Sequence, residues 1–562
     1  MASSSTGGKS PVFQILAEDI KALGVECVFG LMSDDTALFA TALDTSRVRL
    51  YGTRHENAAI AMADGYAYAT GKLAIAIVGR GPALANGLHA AVYASRTSSK
   101  LLIIYGEAAT VGAPNGLGPD YKALDGVGVL RAAGLKTFTA TSPEGARQTL
   151  ADAIAAAMAG NAVSLHLPTN VQLAEIEQPA AKLAIRSREH APSPARPQSI
   201  DAAAAMLAKA RKPLIVAGLG AHRAGARQAI EALAERTGAL LVTTARGKDL
   251  FRGNPRSLGI IGSFSHSIAR RMADQADCVI AFGAGLNFLT TSFGTAVPQV
   301  PLIQVDSVRA NIGRWLAADV AVVADARLAA EQLLVAVPER PAAEKPFHDA
   351  ATTALIAGFH PQQDFQPANT PRTIDMRTLG LELEQILPDD RNLVVDGGNF
   401  LGIVPYLSVP DPGAFKMIGD FASIGLAFGA ALGMAKARPD RTTVMVIGDG
   451  GFLMTMGDLE TVIREDLPMI VVLMNDCAYG AELHFLKLRQ QPVAKSVFPD
   501  VDFAPIAAAF GFEAETIRTV EDLRRIAPRL AKPEGPIFLD CKLNADVAAP
   551  FMSEFAHFEG RH

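Results

Sequence analysis

The feature that most constrains this chain is a series of short, unbroken apolar runs, rich in β-branched residues and separated by helix-length segments. LAIAIVG (73–79) and KLLIIYG (100–106) come first. LIVAGLG (214–220), DCVIAFG (277–283) and LIQVD (302–306) follow, then NLVVDGG (392–398), TVMVIGDGG (443–451) and PMIVVLMND (468–476). A strand with no polar face is buried on both sides, as in parallel sheets covered by helices. The alternation therefore predicts an α/β protein of three doubly wound parallel-sheet domains. Two Pro-rich stretches without periodicity, 178–197 and 338–371, read as linkers. They leave blocks at 11–177, 198–337 and 372–548, with a C-terminal tail at 549–562 and a loose polar start, MASSSTGGKS. Three blocks suit 562 residues at roughly 150 per domain.

Charge and cysteine usage narrow the function. A net charge of −5 argues against nucleic-acid binding by bulk charge. The apolar, charge-free run from Phe421 to Ala435 is Gly-rich and falls short of the roughly 20 residues a membrane span needs. Cys27, Cys278, Cys477 and Cys541 are scattered, with no CxxC pair, so neither a structural zinc nor a disulfide framework is expected. A cytoplasmic protein acting on a small molecule is the expectation. In the middle block, AGLGAHRAG (217–225) carries Arg223 where a dinucleotide fingerprint needs its third Gly, and GAGLNF (283–288) fails similarly. Both read as ordinary strand-end turns.

The most informative segment runs from Gly448 to Asp476. Asp449 ends one apolar strand and Asp476 ends the next, 27 residues on (476 − 449). In a right-handed βαβ unit both fall on the carboxyl edge, where α/β sheets bind ligands. Two oxygen ligands there suit Mg²⁺, with Ca²⁺ as the alternative. Gly448, Gly450 and Gly451 let main-chain amides approach phosphate oxygens at a helix start. The predicted species is a metal-bridged diphosphate. On the residues alone, a strand-end turn with solvated carboxylates fits as well.

Two further segments shift that balance. RHENAAIAMADGYA (54–67) and GRGPALAN (79–86), taken with the GDG segment, resemble the motifs of thiamine diphosphate-dependent enzymes. The resemblance is to the acetolactate synthase, pyruvate decarboxylase and benzaldehyde lyase superfamily, and it covers nearly the whole chain in the order pyrimidine-binding, middle and diphosphate-binding. It implies that Glu56 is the carboxylate that hydrogen-bonds the cofactor's pyrimidine ring, and that Asn86, the Asn ending the family's Gly-Pro-Gly turn, is a cofactor-binding residue. Asp449 and Asp476 match metal ligands, and Ala478 the position that ligates through its carbonyl. Asp476 departs from the family's usual Asn. Ile424 matches the apolar wedge under the cofactor; Gly397, Gly398 and Asn399 match a loop flanking the diphosphate.

The resemblance also implies a substrate side. Asp34 and Glu482 align with active-centre carboxylates of pyruvate decarboxylases, Lys122 falls near an active-site Gln of relatives, and His484 lies in the same lip as Glu482. Were Asp34 and Glu482 to face one reacting carbon, their repulsion would raise at least one pKa. The implied activity is cleavage or formation of the C–C bond beside a carbonyl, on 2-oxo acids or 2-hydroxy ketones. The alternatives are an acetolactate synthase-type transferase, a 2-hydroxyacyl-CoA or oxalyl-CoA lyase, and a degenerate cofactor-binding relative, against which Glu56 argues. Thiamine diphosphate and Mg²⁺ are the expected cofactors; FAD is not expected. A homodimer or homotetramer is implied, with active sites at the subunit interface.

Overall fold

The computed structural model describes residues 8–110, 120–186, 191–340 and 345–559, with side chains described to residue 555. Parts of the expected N-terminal tail, of both linkers and of the C-terminal tail lie outside the described residues.

Three six-stranded sheets follow one another along the chain, and every strand pairing within them is parallel. The first has the order Arg49–Gly52, Cys27–Gly30, Ala74–Val78, Leu101–Glu107, Ala162–Pro168, Lys136–Thr139. The second runs Ser257–Ile260, Leu240–Thr243, Pro213–Ala217, Cys278–Phe282, Leu302–Asp306, Val320–Val323. The third runs Phe415–Met417, Arg391–Val395, Thr442–Gly448, Met469–Asn475, Ile537–Lys542, Glu513–Ile517. The α/β class expected from the apolar runs is the one observed. Their central strands are buried along their whole length, as hydrophobic burial on both faces requires. A small antiparallel ribbon pairs Lys9–Pro11 with Glu175–Glu177.

Two helices join the first and third sheets. Glu56–Thr70 begins where the His55 ring accepts from the Asn57 amide at 3.1 Å, and ends at Gly71 in the left-handed region (φ +68°). It packs on Leu426–Ala437, which overlaps most of the charge-free run read above. The two backbones nearly touch: a Cβ on Gly429 would lie 2.7 Å from Ala61 Cβ, and one on Gly433 would overlap the Met62 carbonyl. No helix among the described residues is long and apolar enough to cross a membrane.

The structure adds order where the sequence suggested none. The second linker carries a helix at Ala350–Ala357, started by the Asp349 carboxylate accepting from the Thr352 amide at 2.8 Å. The C-terminal segment forms the helix Pro550–Glu559, with Phe551 and Met552 buried. Glu554 pins this helix to the middle domain, accepting from Ser263 Oγ at 2.7 Å and pairing with Arg270.

Candidate active site

Asp449 and Asp476 are each the first residue beyond a strand, and those strands are adjacent and parallel, with Gly448 opposite Met474. Both carboxylates converge on one amide. Ala478 N–H donates to Asp476 Oδ1 at 3.2 Å and also reaches Asp449. Asp449 accepts in addition from the Gly450 amide at 2.9 Å. Burial pushes Asp449 up to about 7; burial, then repulsion from Asp449, pushes Asp476 up to about 8. Among the described residues no cluster of three or more His, Cys, Asp or Glu side chains could hold a metal ion. Two carboxylates joined by a main-chain oxygen, such as that of Ala478, is the set the sequence suggests. Paired, enclosed carboxylates on the ligand edge of the sheet fit a divalent cation.

The surrounding glycines are explained by protein neighbours. A Cβ on Gly448 would lie 2.7 Å from the Phe400 ring, one on Gly450 2.5 Å from the Tyr479 ring, and one on Gly451 2.6 Å from Asp396 Oδ2. Gly398 (φ +152°) also presses on Phe400. Gly397 faces the half-buried Ile424, whose Cγ2 would be 3.6 Å from an added Cβ, so the loop lies against this side chain.

Asp396, at the end of the Arg391–Val395 strand, is fully buried. Its Oδ2 accepts from the Gly425 amide at 2.5 Å, while Oδ1 has no hydrogen-bond partner among the described residues. Burial pushes this carboxyl up to about 7, against the pull of the Gly425, Gly397 and Ala427 amides. Sequence reasoning took the glycines of DGGNF and passed over its Asp. An acid ending an apolar strand, the signal that singled out Asp449, was present here too. Asn399 closes the same loop. Its amide is buried and committed on both sides, donating to the Val547 carbonyl at 2.9 Å and accepting from the Ala549 amide at 2.8 Å. It ties the C-terminal segment to the Gly397–Gly398 loop.

On the first sheet, Glu56 opens its helix and accepts from Asn86 Nδ2 at 3.1 Å; His55 Nδ1 lies 4.0 Å away. Two residues expected to bind the cofactor are thus in contact with each other. Asp34 is exposed and pairs with Lys122, which also lies 3.9 Å from Asp35. Arg80 joins the group, pairing with Asp120 and lying 3.4 Å from Asp35. The hydrogen bond from Lys122 holds the Asp34 carboxyl below the ordinary carboxylate value. Arg80, Asp35 and Asp120 were missed, because separations within this cluster of up to 88 residues give no local signal.

Glu482 is exposed on the helix Gly480–Leu488. His484, on the same helix, is buried instead and lines a cavity of about 370 Å³ against residues 548–553. Burial, then Lys487, lowers its pKa, which favours the neutral imidazole, and its Nε2 has no hydrogen-bond partner among the described residues. Among the described residues no hydrogen bond or ion pair links Glu56 or Asn86 to Asp449, Asp476 or Ala478.

Three family models match in chain order. They are described as the thiamine pyrophosphate enzyme N-terminal TPP binding domain (residues 11–124), central domain (200–333) and C-terminal TPP binding domain (396–541). The chain is 26% identical over 556 residues to a probable acetolactate synthase large subunit of Methanocaldococcus jannaschii, covering 96% of this chain and 93% of that protein. It is 29% identical over 523 residues to a probable 2-ketoarginine decarboxylase of Pseudomonas aeruginosa, covering 91% and 90%. Its fold resembles that of the thiamine diphosphate-dependent 4-hydroxybenzoylformate decarboxylase of Rhodococcus jostii, with a TM-score of 0.79 at 20% identity over 95% of this chain and 99% of that one.

Proposed function

The chain belongs to the thiamine pyrophosphate enzyme family, and from that premise we propose that it is a thiamine diphosphate- and Mg²⁺-dependent lyase or carboligase. Its substrates are 2-oxo acids or 2-hydroxy ketones, in which it breaks or makes the C–C bond beside the carbonyl. The observation that carries the reading is the convergence of Asp449 and Asp476 on the Ala478 amide at the carboxyl edge of the third sheet.

Thiamine diphosphate, when bound, supplies a thiazolium carbon that acts as nucleophile and electron sink. The chain's own residues bind and orient it. Asp449, Asp476 and the Ala478 carbonyl hold the metal, and Ile424 supports the cofactor. Glu56, steadied by Asn86, holds a proton at the pyrimidine nitrogen. Asp34 and Lys122 are polar groups for the substrate carbonyl. We further propose a cytoplasmic homodimer or homotetramer in which the Glu56 side of one subunit completes the metal side of another. The exposed Asp34 and Glu482 are side chains available to such a neighbour.

An acetolactate synthase-type transferase is the second reading, supported by the names of relatives. It must hold a second anionic keto acid. The cluster of Asp34, Asp35 and Asp120 with Arg80 and Lys122 has three negative and two positive charges, which favours the lyase reading over that one.

The test is a screen of 2-oxo acids, acyloins and 2-hydroxyacyl-CoA thioesters with the purified full chain, following CO₂, aldehyde and acyloin. Turnover that requires both thiamine diphosphate and Mg²⁺, and that falls at least about 10²-fold in Glu56→Gln, is expected. Turnover indifferent to that substitution would remove Glu56 from its role.

A further inference from the structure

We propose that this chain binds its divalent cation at Asp449 and Asp476 without the diphosphate, so that the metal is resident before the cofactor arrives. The inference rests on the metal-site reading above and deepens it.

Three observations lead there. First, the site is prebuilt: its two carboxylates leave adjacent parallel strands in register and share one amide donor, the Ala478 N–H. Gly480 packs directly on the Asp476 carboxylate, and the Asn475 amide donates to Asp540 at 2.8 Å, so the loop around Asp476 is fixed from both sides. Second, the pair has no counter-charge among the described residues. Among the described residues neither Asp449 nor Asp476 forms an ion pair with a basic side chain. Lys542, which lies beside the same strand end, is committed to Asp500 at 2.8 Å and Asp540 at 3.1 Å. Third, Asp449 is almost completely buried, so water screens the pair poorly.

Enclosed like charges without a partner are costly, and a divalent cation is the group that relieves both at once. Cation affinity in oxygen sites rises with the number of charged ligands. With two carboxylates the occupied site is formally neutral and holds its ion unaided. With one carboxylate and one amide it would keep a positive charge, and the diphosphate would be needed to hold the ion in place. The second carboxylate thus moves metal binding ahead of cofactor binding.

Calorimetric titration of Mg²⁺ into the cofactor-free full chain at pH 8 tests this, alongside the same titration with thiamine diphosphate present. One Mg²⁺ per chain without cofactor is expected for the natural sequence. Asp476→Asn, which keeps the oxygen and removes the charge, should weaken that cofactor-free binding at least about tenfold while leaving the metal–cofactor complex able to bind. Asp449→Ala should abolish both, and circular dichroism melts check that each variant is folded. If the natural chain takes up Mg²⁺ only with thiamine diphosphate, the loading order is wrong and the metal site stands. Equal cofactor-free affinity in Asp476→Asn would also overturn the proposal. If Mg²⁺ enters under neither condition, the metal-site reading itself falls.

Discussion

The carboxyl group of Asp396 is fully buried, with Oδ2 on the Gly425 amide and Oδ1 without a hydrogen-bond partner among the described residues. Its pKa of about 7 lies above the ordinary 3.8, so between those values the folded chain holds a proton that the unfolded chain has lost. The sign follows: this group's stabilising contribution is full below about pH 4 and is lost as pH rises through about 7. Three pH units correspond to about 4 kcal/mol as an upper bound. Asp396→Asn keeps the acceptor for Gly425 and cannot ionise. Its melting temperature, measured without metal or cofactor, should therefore gain on the natural chain's at pH 8 and lose that gain at pH 5. Parallel curves for the two proteins would show that Asp396 does not titrate in this range. At this scale the sequence was legible where a residue's placement follows from a strand end or a helix start, as for Asp449, Asp476 and Glu56. It was silent where the role depends on a distant partner. Nothing near Asp34 announces Lys122, and nothing near Asn399 announces the main chain of Val547 and Ala549.

Elements were legible in proportion to their burial. Each apolar run read from the sequence lies in the interior of a sheet, because a strand buried on both faces can hold little else. Edge strands such as Arg49–Gly52 and Glu513–Ile517 are half-exposed and mixed in composition, so periodicity did not mark them. The Ala350–Ala357 helix was hidden because its Pro-rich surroundings outweighed one capping Asp. The run from Phe421 to Ala435 shows a further effect: it is apolar because most of it belongs to a buried helix, and Gly-rich because that helix lies against another backbone. Gly433 is the sharpest case, since a Cβ there would overlap the Met62 carbonyl. Gly433→Ala gains about 1 kcal/mol of helix propensity, but backbone overlap cannot be relieved by a rotamer change and costs typically 1–3 kcal/mol or more. The clash should win, lowering the melting temperature by several degrees. Glu56 heads the opposing helix, so a shift of that helix should also weaken thiamine diphosphate binding in a cofactor titration. A variant as stable as the natural chain would mean the two helices separate at little cost.

Over the whole molecule, burial of apolar surface builds each sheet, while charged groups mark where the domains meet. Lys416 on the edge strand of the third sheet lies 2.8 Å from Asp64 on the helix that Glu56 begins, and both side chains are almost completely buried. The ammonium also sits over the Tyr68 and Tyr93 rings, at 4.6 and 5.2 Å from their centres. Arg246 of the middle domain lies 3.3 Å from Asp420 of the third, so charges also meet at that junction. Burial lowers the Lys416 pKa, showing that desolvation opposes the charge even with Asp64 beside it. Such a pair adds little net stability over an apolar replacement, yet breaking it strands one charge in the interior. Lys416→Met and Asp64→Leu should each cost about 3–5 kcal/mol, while the double variant recovers most of that loss. The temperature of the first thermal unfolding transition measures all three against the natural chain. Additive losses in the double variant would mean the two residues act separately, and that the junction between the first and third domains does not depend on their charge.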